Sequence, residues 1–225
     1  YNKRAIDSSS AFKKILDDKT LAENKHKVKT VIAASAIGWY GPDTNKSSVS
    51  GFKEDDPCDD SYLGNTCKLW EQSMFTLNSM GIRLVTFRIG IVFNRYGGAL
   101  AAFIKPAQLG LATILGSGRQ MVSWIHQYDL CKMIGFAIQN PSLKGVYNAV
   151  SPYPINNKNL AIAIAKKIRH FYIPIPVPSF ILKIMLGEMS IEVLKSATVS
   201  SQKIEEAGFH FSYPTVDKAL DQLLK

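Results

Sequence analysis

Side chains able to do chemistry gather in two stretches, AASAIGWYG at Ala33 to Gly41 and LGNTCKLWE at Leu63 to Glu71. In the first, Ser35 closes an apolar run of strand character, Val31 to Ala34, beside a Gly-rich turn. Tyr40 follows in that turn, either within reach of a substrate above the end of a sheet, where it could shuttle a proton, or packed beneath the loop. In the second, Cys67 could titrate, but a thiol on the apolar stripe of a helix more often behaves as a small buried hydrophobe. Further on, Arg88 lies inside the apolar run FRIGIVF, where an unpaired guanidinium is costly to bury, so it needs an acidic partner or a ligand. Arg119 in GSGRQMVSWIH suits a phosphate or carboxylate through forked hydrogen bonds, or a solvated loop. Trp124 and His126 sit in a short alternating strand, one face of which can line a cleft while the other packs; His126 reads more readily as structural. Asp129 is expected to cap the helix after it, Asn148 to fix a turn, and Glu188 to cap or bridge.

These groups must be held by elements, and apolar runs of strand length alternate with helix-period segments, the pattern of a parallel sheet flanked by helices. Helices are predicted at Lys3 to Leu16, Asp60 to Met80, Ala99 to Leu111 with Pro106 kinking or dividing it, and Asp129 to Gln139. Within the second, Cys67, Trp70, Met74 and Leu77 form one stripe, and Gly81 suits its carboxyl end. Strands are predicted at Val28 to Ala34, Leu84 to Phe93, Thr113 to Leu115, Val122 to Ile125 and Gly145 to Val150. Asn157 then caps a helix running to about Arg169, and the proline-punctuated IPIPVPSF opens an all-helical tail. Phe209, Phe211 and Tyr213 alternate with polar residues and staple the closing helix, Thr215 to Leu224, to the body.

The succession AASAIGWYG, LGNTCKLWE, RLVTFRIGIVF, GSGRQMVSWIHQYDL, GVYNAVSPYPINN and EAGFHFSYP resembles the atypical, sugar-nucleotide epimerase-like branch of the extended short-chain dehydrogenase/reductases, along the whole chain. The resemblance implies an α/β fold: a partial Rossmann-type parallel sheet in residues 1–150, with cleft segments at about 94–130, and a small mostly helical domain in 151–225. It implies that Ser35 hydrogen-bonds the reacting hydroxyl or carbonyl, and that Arg88, Ile89 and Gly90 contact NADP or NAD near its nicotinamide. Arg119, Trp124 and His126 then belong to the substrate cleft. In that superfamily a helix facing the serine carries Tyr-x-x-x-Lys-x-x-x-Glu, and here it reads Leu63, Cys67, Glu71. Leu63 cannot transfer a proton. Tyr62 and Lys68 cannot substitute, since six residues rotate a helix by about 600° and place the two on different faces. Tyr40 is the remaining shuttle. The amino-terminal helix also departs from the resemblance, carrying Ile6, Asp7, Ser8, Ser9 where an arginine is usual.

No strand, Gly-x-Gly-x-x-Gly turn and helix unit is present, so the chain is expected to be a fragment lacking the amino-terminal third that holds the pyrophosphate. The amino terminus has helical spacing at Ile6, Phe12 and Ile15 and not the layout of a signal peptide. A content of 46% hydrophobic and 20% charged residues matches a globular protein, and the apolar runs are far shorter than the roughly 20 residues of a bilayer span. Cys58, Cys67 and Cys131 are scattered, without CxxC pairs or clustered histidines, which points to a reducing, cytoplasmic setting and to no metal site. The net charge of +9 is dispersed and mostly lysine, with one cluster at Lys25, His26, Lys27 and Lys29, which fits a solvated surface better than a nucleic-acid interface. Two functions follow: an NAD(P)-dependent oxidoreductase or epimerase acting on a nucleotide-linked sugar or similar polar hydroxyl compound, or a cofactor-holding, non-catalytic or regulatory protein of the same fold.

Overall fold

The computed structural model describes residue 14 and residues 28–75, 77–78 and 81–225. The predicted helix at Lys3 to Leu16 and its Ser8–Ser9 departure lie outside these, residue 14 apart. In chain order the elements are β1 (Thr30–Ala36), a 3-10 turn (Ile37–Trp39), α1 (Ser47–Ser50), α2 (Tyr62–Phe75), β2 (Arg83–Ile89) and β3 (Ile91–Phe93). Next come α3 (Gly98–Gln108), β4 (Leu111–Leu115), β5 (Met121–Val122), β6 (Trp124–His126), α4 (Gln127–Gln139) and β7 (Gly145–Ala149). The remainder is β8 (Ile155–Asn156), α5 (Asn157–Ile168), β9 (Ile173–Val177), α6 (Ser179–Leu186), α7 (Met189–Leu194), α8 (Gln202–Glu206) and α9 (Val216–Leu223).

The sheet that positions the site is parallel, in the order β1, β2, β7. Alternation gives it two faces. Ala33 and Leu84 point to the α2 side, where they pack with Leu77 and Ile82. Val85, Phe87, Tyr147 and Ala149 point to the other, against Met133 and Ala137 of α4. Burial on both faces is why β2 reads as a nearly continuous apolar run and not as an alternation. The register sets Ser35 beside Arg88 and Arg88 beside Asn148, so one polar residue from each strand shares the α2 face at the same level near the strands' carboxyl ends.

The predicted strand Leu84 to Phe93 is two strands. At Gly90 the chain changes partners: Gly90 N donates to Ala149 O at 3.1 Å and Ile91 N to Ser123 O at 2.9 Å. A Cβ at Gly90 would stand 2.7 Å from Ser123 O and 2.8 Å from Val150 Cγ1, so the close approach of β6 requires glycine there. Beyond the switch, β3 pairs in parallel with β6, and the ring of Phe93 stacks on Trp124 at 4.7 Å. Those two rings seed a second core with Leu100 of α3, Leu160 and Ile164 of α5, and Leu220 and Leu223 of α9.

Several local expectations are corrected. The tail is not all helical, because β9 pairs in parallel with β4. Its prolines, Pro174 and Pro176, alternate, so both missing N–H groups fall on the edge away from β4, which an edge strand tolerates. The cap of α5 is Asn156, whose side chain accepts from Asn159 N at 2.8 Å, while Asn157 Oδ1 accepts from Leu115 N at 2.9 Å. Asp129 does not cap α4. His126 does, and the Asp129 carboxylate instead accepts from Ser212 N and Tyr213 N, both at 2.8 Å, fastening the FSY segment to α4. Asn148 lies within β7 and not in a turn, and Glu188 precedes α7 with no side-chain capping bond.

Candidate functional site

The three polar residues set side by side by the sheet are joined by α2 from one side and the loop after β1 from the other. Glu71 is the hub. Its Oε1 accepts from Ser35 Oγ at 2.7 Å and from Arg88 Nε at 2.9 Å, and its Oε2 accepts from Arg88 Nη2 at 3.0 Å. Such a two-pronged guanidinium–carboxylate pair is among the stronger polar contacts proteins make. Arg88 Nη1 donates to the Tyr40 hydroxyl and to Glu54 O, each at 3.0 Å, and the guanidinium lies 3.7 Å from the centroid of Trp39. The Tyr40 hydroxyl donates to Asn148 Oδ1 at 2.7 Å. Asn148 completes the circuit, its Nδ2 donating to Phe52 O and Ser200 O and its backbone N to Glu54 Oε1. Ser35, Tyr40, Glu71, Arg88 and Asn148 are all buried.

This geometry decides what each group can do. Tyr40 is 0% exposed and stacks on Phe52 at 5.1 Å; burial, working against the nearby Arg88, pushes its phenol from the ordinary 10 up to about 12. Its one proton is committed to Asn148 and no atom of it faces solvent. Four hydrogen bonds hold Arg88 to Glu71, Tyr40 and Glu54, so its buried charge is matched by an acid.

The α2 face opposite Ser35 bears what the sequence shows. A Cβ added at Gly38 would lie 3.5 Å from Leu63 Cβ and 3.6 Å from Cys67 Sγ, so both side chains abut the 3-10 turn that follows Ser35. Cys67 Sγ donates to Ala36 O at 3.6 Å, and burial raises its thiol above the usual range. An aliphatic group and a protonated thiol occupy the helix positions where the resemblance would place tyrosine and lysine.

The other predicted residues are not brought to this cluster. Ile89 ends β2 and Gly90 is the strand switch already described. Arg119 is exposed in the turn between β4 and β5. Trp124 is fully buried against Phe93, with its Nε1 donating to Tyr153 O at 3.0 Å. His126 is buried too: Nδ1 accepts from Tyr128 N at 3.0 Å and Nε2 lies 3.1 Å from Gln222 Oε1, which fixes the neutral Nε2–H tautomer. Burial lowers its pKa below the ordinary 6.5.

Sequence reasoning missed the hub. Glu71 stood in the quoted pattern, and Arg88 was seen to need an acid, but the two were not joined. The signal was available: Glu71 is four residues from Cys67 and so on the same face of the same helix. Also missed were Asp43, which accepts from Thr198 N, Thr198 Oγ1 and Ser196 Oγ, and Lys195, whose Nζ donates to Tyr40 O at 3.1 Å and to Glu192 Oε1 at 2.9 Å. No local pattern announces contacts spanning some 150 residues of chain.

Comparison with known proteins agrees with this architecture. Residues 19–150 match the NAD dependent epimerase/dehydratase family, and residues 177–223 match a domain of unknown function, DUF1731. The chain is 36% identical over 205 residues, 91% of its length, to the epimerase family protein YfhF of Bacillus subtilis, and 36% identical over 197 residues, 87% of its length, to the chloroplastic SDR39U1 homolog of Arabidopsis thaliana. It spans 66% and 54% of those two proteins. Human epimerase family protein SDR39U1, solved with NADPH, superimposes over 99% of the chain and 74% of its own, with a TM-score of 0.86 and 26% identity. A nucleoside-diphosphate sugar epimerase from Corynebacterium glutamicum covers 92% of the chain and 40% of its own, with a TM-score of 0.69 and 25% identity. The parallel sheet, the serine at its edge and these matches together establish that the chain belongs to the NAD dependent epimerase/dehydratase family, with an NAD(P)-binding fold.

Proposed function

We propose that this protein holds NADPH or NADH but does not carry out the tyrosine-based proton transfer of catalytic reductases: a cofactor-holding, non-catalytic or regulatory member of its family. The observation that carries the reading is the fate of the acid. Leu63 and Cys67 fill the helix face against the turn after Ser35, and the Tyr40 hydroxyl is spent on Asn148. Ser35 donates its own proton to Glu71, so it orients nothing by donation.

The described residues fit the nicotinamide half of such a cofactor. Ala34 is exposed in β1 between buried Ala33 and Ser35, and with Ala36 it keeps the strand end free of bulk, as a flat ring requires. Ala34, Ala36, Ile89 and Gly90 would hold that side, with Arg88 acting beneath them through the pair with Glu71. When bound, such a cofactor supplies or accepts hydride; the residues here bind and shape, and none holds a mobile proton at an open atom. In this reading residues 1–150 are the cofactor domain and 151–225 the small domain that closes over it.

The test is a titration of the full-length protein with NADPH and NADH by nicotinamide fluorescence, followed by a panel of nucleotide sugars and simple carbonyl compounds watched at the nicotinamide absorbance. Saturable binding without turnover, unchanged in Ser35→Ala, is expected. Turnover abolished by Ser35→Ala would replace this reading with the oxidoreductase or epimerase one.

A further inference from the structure

Between the strand ends and the carboxyl-terminal elements lies a cavity of about 410 Å³, bounded by Ile37 after β1, by Ile91 and Phe93 of β3, by α3, and by Leu182, Met185 and Leu186 of α6. Among the described residues that line it, sixteen of twenty are apolar, and the four polar ones each have a polar partner already. Ser123 Oγ donates to Ala197 O and accepts from Val199 N, Asn157 Oδ1 accepts from Leu115 N, and Lys195 is paired with Glu192. No arginine is among the described residues that line it. A diphosphate brought here would lose its water and meet one cation that is already neutralised, which costs several kcal/mol per buried charge. An apolar body loses nothing comparable and gains by leaving water.

We propose that this cavity binds an uncharged, lipophilic small molecule, in contrast to the polar nucleotide sugar that the family resemblance suggests. At about 30 Å³ per water-sized group, the volume admits roughly fourteen non-hydrogen atoms. The exposed side chain at the rim agrees: Met185, which lines the cavity, is 74% exposed, so α6 presents apolar surface there rather than the polar rim that a charged ligand would meet. The proposal does not depend on the cofactor reading, because it requires only the lining.

The experiment uses the full-length protein and the neutral fluorophore N-phenyl-1-naphthylamine, displaced by 1-octanol, 1-decanol, 1-dodecanol and 1-hexadecanol, with UDP-glucose as the polar competitor. Each added methylene should tighten binding about fourfold, from the transfer energy of a CH₂ group. The gain should stop between dodecanol and hexadecanol, where the chain outgrows the space. UDP-glucose should not compete. Ala102→Trp, which fills the cavity from an exposed position on α3, and Met185→Asp, which puts a charge at the entrance, should each weaken decanol binding at least tenfold and leave NADPH binding as it was. Absence of saturable binding, a methylene gain that continues past hexadecanol, indifference to both substitutions, or displacement by UDP-glucose would overturn the proposal. Loss of NADPH binding in the unmodified protein would count against the cofactor reading alone.

Discussion

Replacing Glu71 by leucine tests the network at its hub. The change removes both oxygens that hold Arg88, at 2.9 and 3.0 Å, and the acceptor of Ser35 Oγ at 2.7 Å. Arg88 is 2% exposed and keeps only its Nη1 bonds to Tyr40 and Glu54, so its charge stays buried without a counter-charge. Breaking a buried pair in this way costs about 3–5 kcal/mol. For a chain of this size each kcal/mol lowers the midpoint of melting by about 2–4 °C, which gives a fall of roughly 6–20 °C. Arg88→Met, which strands the carboxylate instead, should cost a similar amount. The double variant Glu71→Leu/Arg88→Met leaves no orphaned charge and fills the space with apolar atoms. It should therefore be more stable than either single variant, with a coupling near the upper end of the roughly 0.5–3 kcal/mol seen between contacting residues. The assay is urea unfolding of the full-length protein by circular dichroism, with the slopes compared to check that the unfolded states match. A Glu71→Leu cost under about 1 kcal/mol, or a double variant equal to the sum of the singles, would refute the account of this pair.

Three more outcomes are expected. Gly90→Ala should cost about 1–3 kcal/mol by overpacking, since its Cβ would press on Ser123 O at 2.7 Å and neither backbone can move freely; urea unfolding reads it. His126 is neutral in the fold and its pKa is lowered by burial, so the unfolded chain takes up a proton first as pH falls. Stability from this group is complete above pH 6.5 and declines as pH drops from 6.5 through the lower folded value; melting midpoints at stepped pH should show that decline, and His126→Gln should flatten it. Iodoacetamide followed by mass spectrometry should label exposed Cys131 first and buried Cys67 only on unfolding, because burial keeps the Cys67 thiol protonated.

The sheet was legible because β1, β2 and β7 are short apolar runs separated by helix-period segments, and buried parallel strands have no other way to look. The resemblance to an epimerase fold, read from the same segments, was correct at the level of family. What escaped was partnership. The identities of Ser35, Tyr40 and Arg88 were visible, but a sequence does not display that a parallel register sets Ser35, Arg88 and Asn148 in one row, or that Glu71 reaches across to bind two of them. Asp129 and Asn148 were misread for one reason: local rules assign short polar residues to caps and turns, whereas here a tertiary contact claimed each, the FSY backbone for Asp129 and Tyr40 for Asn148. Ile173–Val177 was missed because two prolines in five residues look like a loop until their alternation is set against a strand edge. The apolar cavity had no signature at all, since its walls come from eight separate stretches of chain that are ordinary core sequence taken one by one.

The most direct measurement of the central claim, that the tyrosine beside this serine is scaffold and not proton donor, is the Tyr40→Phe variant carried through urea unfolding and NADPH titration together. Losing the hydroxyl leaves Asn148 Oδ1 and one Arg88 donor unsatisfied in the interior, so the account predicts a loss of about 1–3 kcal/mol in stability with NADPH affinity unchanged. Full stability combined with loss of a cofactor-dependent turnover present in the unmodified protein would contradict it.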